Sequence, residues 1–193
     1  MRKTPLRAWK ALRTIRRTAP VLCGWLAITV SAAPARAADL AQAEDNAKEA
    51  VGLFLKSCVE FAGNLDGLRD WVKKAGFPEM PGNEADNFLY GLPGAVYNAT
   101  AKGGKLVLMT QDNGSCSTFT PLADGPTVTN ELERILRESR VKLDITGDKA
   151  DPKENKLHHR EYTASGAKHE WQMLVSTVND PAGGEAVLTA NPW

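Results

Sequence analysis

All three histidines of the chain stand close together near its C-terminal end: His158, His159 and His169, interleaved with Arg160, Glu161, Tyr162, Glu170 and Trp171. Imidazole and carboxylate are ordinary zinc ligands and ordinary acid-base groups, so this stretch is where chemistry would be sought first. Residues 157–163 and 169–178 read as strands, and a two-residue turn at Ser165 and Gly166 would place Glu161 opposite Glu170, Tyr162 opposite His169 and Arg160 opposite Trp171. His159, Glu161 and Glu170 then share one face of the hairpin, while His158, Arg160, Tyr162, His169 and Trp171 share the other. Two carboxylates opposed on a sheet repel, and call for water, a proton or a cation between them. The sharp reading is a metal or acid-base site built from His159, Glu161 and Glu170. The plain one is a solvated outer face, with Arg160 lying over Trp171 on the reverse. No H-E-x-x-H pattern occurs, so the plain reading takes precedence and no metal or other cofactor is expected.

Cys58 and Cys116 are the second pair of interest. They are the only cysteines after residue 37, and an even number in an oxidising compartment points to a disulfide. A nucleophilic thiol is the alternative, disfavoured because Cys58 lies on an apolar helical stripe, where a thiolate is poorly solvated. Other patterns end sooner. No serine sits in a G-x-S-x-G setting, no phosphate-binding glycine loop is present, and Asp144, Asp148 and Asp151 lack the spacing of a calcium loop. Asn98-Ala99-Thr100 and Asn113-Gly114-Ser115 fit a glycosylation sequon, a pattern common by chance.

The elements that must position these residues follow from periodicity. Residues 39–62 carry apolar side chains at three- and four-residue spacing, with Cys58 among them. Asn64 caps a second helix that Gly76 stops and Pro78 keeps from continuing. The proline- and glycine-bearing stretch 77–87 reads as a loop. Strands follow at 94–100 and 105–111, with a turn around Gly103 and Gly104 between them. A two-residue turn at Asn113 and Gly114 leads to the strand 116–120 and puts Leu108 opposite Phe119, Cys116 sharing a face with Val107 and Met109. A third helix runs through Val128, Leu132, Ile135 and Leu136, then come a strand at 141–146, a polar mobile stretch at 147–155, the histidine hairpin and a last strand at 185–190.

The first 37 of the 193 residues differ from the rest. They hold eight basic residues and no acid, a 15-residue apolar run at 19–33, and Ala35-Arg36-Ala37 followed by Ala38. That pattern is a secretory signal peptide cleaved after Ala37; a spanning helix needs about 20 apolar residues. Neither Arg16-Arg17 nor Cys23 stands in the context of a twin-arginine or lipid-attachment signal. Without the leader, 16 basic residues face 23 acidic ones, a net of −7 that argues against nucleic-acid binding.

The N-terminal helix bearing Cys58, Gly94-Ala95-Val96-Tyr97, and Asp112-Asn113-Gly114-Ser115-Cys116-Ser117-Thr118-Phe119 resemble a loose group of small exported proteobacterial proteins of uncharacterised function. The resemblance covers roughly residues 51–136. It implies a periplasmic or secreted location and a structural role for Cys116, and supplies no catalytic residue.

The sequence therefore predicts a signal peptide at 1–37 and one disulfide-stapled α+β domain at 38–193: an N-terminal helical hairpin, an antiparallel sheet of six or seven strands, and one further helix packed on it. The expected function is a non-enzymatic exported protein that binds a partner protein or envelope component, with no nucleic acid and no stable membrane insertion after cleavage. Its rivals are a small enzyme using His159, Glu161 and Glu170, and an inhibitor of a basic hydrolase, whose association an acidic surface would speed. Intact-mass measurement of native material should give a chain starting at Ala38 and lighter by the two hydrogens of one disulfide; an intact Met1 start would refute export.

Overall fold

The computed structural model describes residues 33–100, 104–154, 156–165 and 170–192. Most of the expected leader with Cys23, the turn residues Gly103 and Gly166, and His169 lie outside the described residues.

Helix α1 (Ala33–Phe54) runs on into a π-helical turn, Leu55–Val59. Its buried stripe begins with Ala43, Ala47 and Ala50, side chains small enough to bring the helix backbone down onto the sheet. The contact is close enough for the Asp124 amide to donate to the Ala43 carbonyl at 3.1 Å and for Asn46 Nδ2 to donate to the Leu122 carbonyl at 2.9 Å. A Cβ at Gly183, which has φ +90°, would stand 2.7 Å from Ala43 Cβ, so only glycine fits that turn. Helix α2 (Leu65–Ala75) is capped by the Asn64 side chain, which accepts from the Gly67 amide at 3.0 Å, and ends at left-handed Gly76. Both ends are as the sequence predicts.

The stretch expected to be a loop at 77–87 instead contains helix α3 (Gly82–Leu89). Pro81 stands at its N-terminal boundary, where proline's missing N–H costs nothing, and Ala85, Phe88 and Leu89 keep helical spacing. Three strands follow, β1 (Gly94–Asn98), β2 (Val107–Gln111) and β3 (Cys116–Ala123); then helix α4 (Gly125–Glu138), capped by Asp124. Four more strands complete the chain: β4 (Lys142–Ala150), β5 (Leu157–Ser165), β6 (Glu170–Val178) and β7 (Gly184–Pro192). The seven form one antiparallel sheet in the order β1-β2-β3-β7-β6-β5-β4. Two meanders thus meet at β3 and β7, and α4 carries the chain from that seam to the far edge.

The polar stretch expected to be mobile at 147–155 is largely ordered structure. β4 continues to Ala150 past a bulge between Ile145 and Gly147, and the Asp151 carboxylate accepts from the amides of Lys153 and Glu154 at 2.7 and 3.0 Å. That Asx turn supplies backbone partners that a charged sequence does not advertise.

The β2–β3 turn differs from expectation by one residue. Gly114, at φ +92°, donates to the Gln111 carbonyl at 2.9 Å, so the loop has three residues, 112–114, and Leu108 lies opposite Thr118. A one-residue change turns a strand over. Cys116 accordingly shares its face with Leu108 and Thr110, which are buried beneath the helices, while Val107, Met109 and Phe119 point outward and pack with α3. The main core lies on the inner face, from Phe54, Leu108 and Leu132 to Tyr162 and Leu188.

The Cys58–Cys116 disulfide joins the π-helical turn to the first residue of β3, with Cα atoms 5.2 Å apart. It closes a loop of 58 residues' separation. The double variant Cys58→Ser/Cys116→Ser should lose about 4 kcal/mol of unfolding free energy in denaturant titration, on chain-entropy arithmetic; a loss below about 1 kcal/mol would mean that the closed loop adds little.

Candidate functional site

β5 and β6 pair with Tyr162 opposite Met173, Glu161 opposite Leu174 and Ser165 opposite Glu170. The expected two-residue turn is therefore wrong, and the register differs by four residues. Because four is even, every described side chain of the two strands keeps its face. His159, Glu161 and Glu170 do lie together on the outer face, but the two carboxylates are four residues apart along the hairpin, roughly 13 Å, rather than opposed. Glu161 pairs with Lys149 on β4 at 3.2 Å, and Glu170 accepts from Ser165 at 3.5 Å. With the repulsion goes the need for a cation between them. Among the described residues no group of three or more His, Cys, Asp or Glu side chains could hold a metal.

His159 instead joins a line that the sequence reading missed. Its Nδ1 lies 2.8 Å from Ser176 Oγ, directly across the strand pair, and its Nε2 lies 3.5 Å from Asp151 Oδ2. The amides of Lys153 and Glu154 hold the Asp151 carboxylate below its ordinary range, with a smaller contribution from His159. Serine, imidazole and carboxylate in sequence suggest acyl transfer, which also requires N–H donors aimed at the developing oxyanion. β6 is paired on both sides, so the backbone N–H groups around Ser176 donate into the ladder. The line is a polar clamp fastening the β4–β5 turn to β6. Only strand register could have revealed it, since Asp151 and Ser176 are 25 positions apart in the chain.

The reverse face carries a second polar group under the edge of α4. His158 Nε2 lies 2.9 Å from Asp148, Arg160 contacts Glu133 at 3.3 Å and Asp148 at 3.5 Å, and the Tyr162 hydroxyl donates to Glu133 at 3.1 Å. Burial, and then the negative charge of Glu133, raises the Tyr162 hydroxyl well above the ordinary tyrosine range. An adjoining cleft of about 290 Å³ is lined by Thr129, Asn130, His158, Arg160, Thr177 and Asn179. Arg160 faces two carboxylates there, so the cleft carries no surplus positive charge to hold an anion. Arg160 does not lie over Trp171 as expected: it stands opposite Val175, and Trp171 opposite Ala164. Tyr162 at 1% and Trp171 at 7% exposure belong to the core and form no surface patch.

Two features of the outer face remain open. β4 to β7 are uncovered by any described helix and surround a depression of about 240 Å³ lined by Thr146, Glu161, Thr163, Gln172, Leu174 and Asn191. Across the seam, α3 covers the other half and leaves an apolar cleft of about 460 Å³ against Met80, Phe88, Val107, Phe119 and Pro121.

Glu133 ties α4 to β5, and its truncation in Glu133→Ala leaves the buried Tyr162 hydroxyl without that acceptor and Arg160 with one carboxylate fewer. Thermal or urea unfolding should register a loss of about 1–3 kcal/mol; a neutral result would show that the network contributes no net stability. No family model, curated protein or solved structure matches the chain.

Proposed function

We propose that the protein is an exported, non-catalytic binding protein that engages a partner protein or envelope component through the open outer face of β4 to β7. The observation that carries this reading is the depression on that face, where Thr163, Gln172 and Asn191 offer hydrogen-bonding groups around the half-buried Leu174 and none of the described helices lies over them. A few placed polar groups around an apolar floor is the usual composition of a recognition surface. The chemistry of the neighbouring residues supports binding over turnover: His159 is held by Ser176 and Asp151, Glu161 by Lys149, and Glu170 stands apart. Export is supported by the leader-like composition of residues 1–37 and by the disulfide, which forms in oxidising compartments. Among the described residues no helix is long and apolar enough to cross a membrane.

Leu174→Glu places a charge on the floor of the depression at a half-exposed site. Affinity capture from the native envelope should recover a partner with the unaltered protein and lose it with this variant, while the melting temperature shifts by no more than about 2 °C. Retention of the same partner would place recognition elsewhere. One equivalent of tightly held zinc in the purified protein would instead favour a metal site.

A further inference from the structure

Helix α3 ends in an unusual way. Tyr90 takes the left-handed conformation at φ 50°, ψ 37°, a place where glycine or asparagine is the usual occupant because a Cβ is crowded there. Its ring recovers nothing by packing: Tyr90 is 87% exposed, and Leu92, two residues on, is 51% exposed. A strained backbone presenting two large apolar side chains on one tip is a feature that persists when the presented groups are used. The cleft beside the same helix has the opposite form. Met80, Phe88, Val107, Phe119 and Pro121 line it, the Phe88 and Phe119 rings meet edge to face at 5.7 Å, and its volume suits one or two large side chains. Glu84 and Lys105 stand at its rim, opposite charges that have no ion-pair partner among the described residues.

We propose that this patch is a self-association surface: two copies of the protein pair about a two-fold axis, Tyr90 and Leu92 of each entering the cleft beside the other's α3. A two-fold contact requires that one patch carry both halves of every interaction, knob with hole and acid with base. The α3 region carries both, which selects a second copy over an unrelated partner. Glu84 of each copy then faces Lys105 of the other. The contact is confined to one short helix and its cleft, which places it among the small, transient interfaces of under roughly 1,200 Å², and the expected dissociation constant is on the order of 10–100 µM. This surface is separate from the depression over β4 to β7, and the two assignments stand or fall independently.

Sedimentation equilibrium of the purified protein from about 5 to about 500 µM tests it. The expected result is a rise from one chain mass to two across that range. Tyr90→Gly should weaken association at least tenfold with an unchanged or higher melting temperature, because glycine relieves the left-handed strain and no buried contact is lost. Lys105→Glu alone and Glu84→Lys alone should each stay monomeric, and an equimolar mixture of the two should dimerise, since both contacts across the axis are again between opposite charges. A monomer at every concentration, a Tyr90→Gly variant that pairs like the parent, or a mixture that stays monomeric would each overturn the proposal. Growth beyond two copies would replace the two-fold with a head-to-tail contact.

Discussion

The bond between Cys58 and Cys116 joins the two layers of the molecule at the place where the sheet is itself joined. Cys58 lies in the π-helical turn that ends the long first helix, and Cys116 opens β3, the strand that meets β7 where the two meanders come together. Each meander alone would be a three- or four-stranded ribbon with little core of its own. The alanine stripe of α1 lies across β3 near this seam, and its close approach puts helix backbone within hydrogen-bonding range of the chain entering α4. Both cysteines are buried, so the link is shielded from solvent reductants and acts as scaffold rather than chemistry.

The two faces of the sheet have separate roles as a result. The inner one is covered by α1 and α4 and holds the large buried side chains, including Tyr162 and Trp171. The outer one is divided. Over β1 to β3 it is apolar and roofed by α3; over β4 to β7 it is lined by hydroxyl, amide and charged groups and is covered by none of the described helices. His159 and Glu161 there are engaged with neighbouring side chains, which makes that part of the face a pre-formed polar surface. The proposed recognition role draws on such pre-organisation, which lowers the cost of ordering side chains on binding.

Legibility from sequence followed the range of the interactions involved. The boundaries of α2 could be read because Asn64 and Gly76 act on residues within one turn of themselves. α3 escaped because Pro81, Gly82 and Asn83 resemble loop punctuation, and the packing of Ala85, Phe88 and Leu89 against the outer face is what justifies a helix there. Face assignments on β5 and β6 survived an error of four residues in register, since side chains alternate with a period of two. The neighbours across the pair did not survive it, and with them went both the Glu161–Glu170 opposition and the Arg160–Trp171 contact.

From sequence alone came the acidic balance beyond residue 37, the two cysteines available to pair, the α+β class and the faces of the histidine hairpin. All of these depend on composition or on the local periods of helix and strand. Tertiary structure decided the strand order, the loop lengths that set register, the grouping of Ser176 with Asp151 around His159, and the cleft beside α3. Those depend on contacts between residues tens of positions apart, whose geometry is settled by which turn closes and which core packs, and neither is written in any local run of residues.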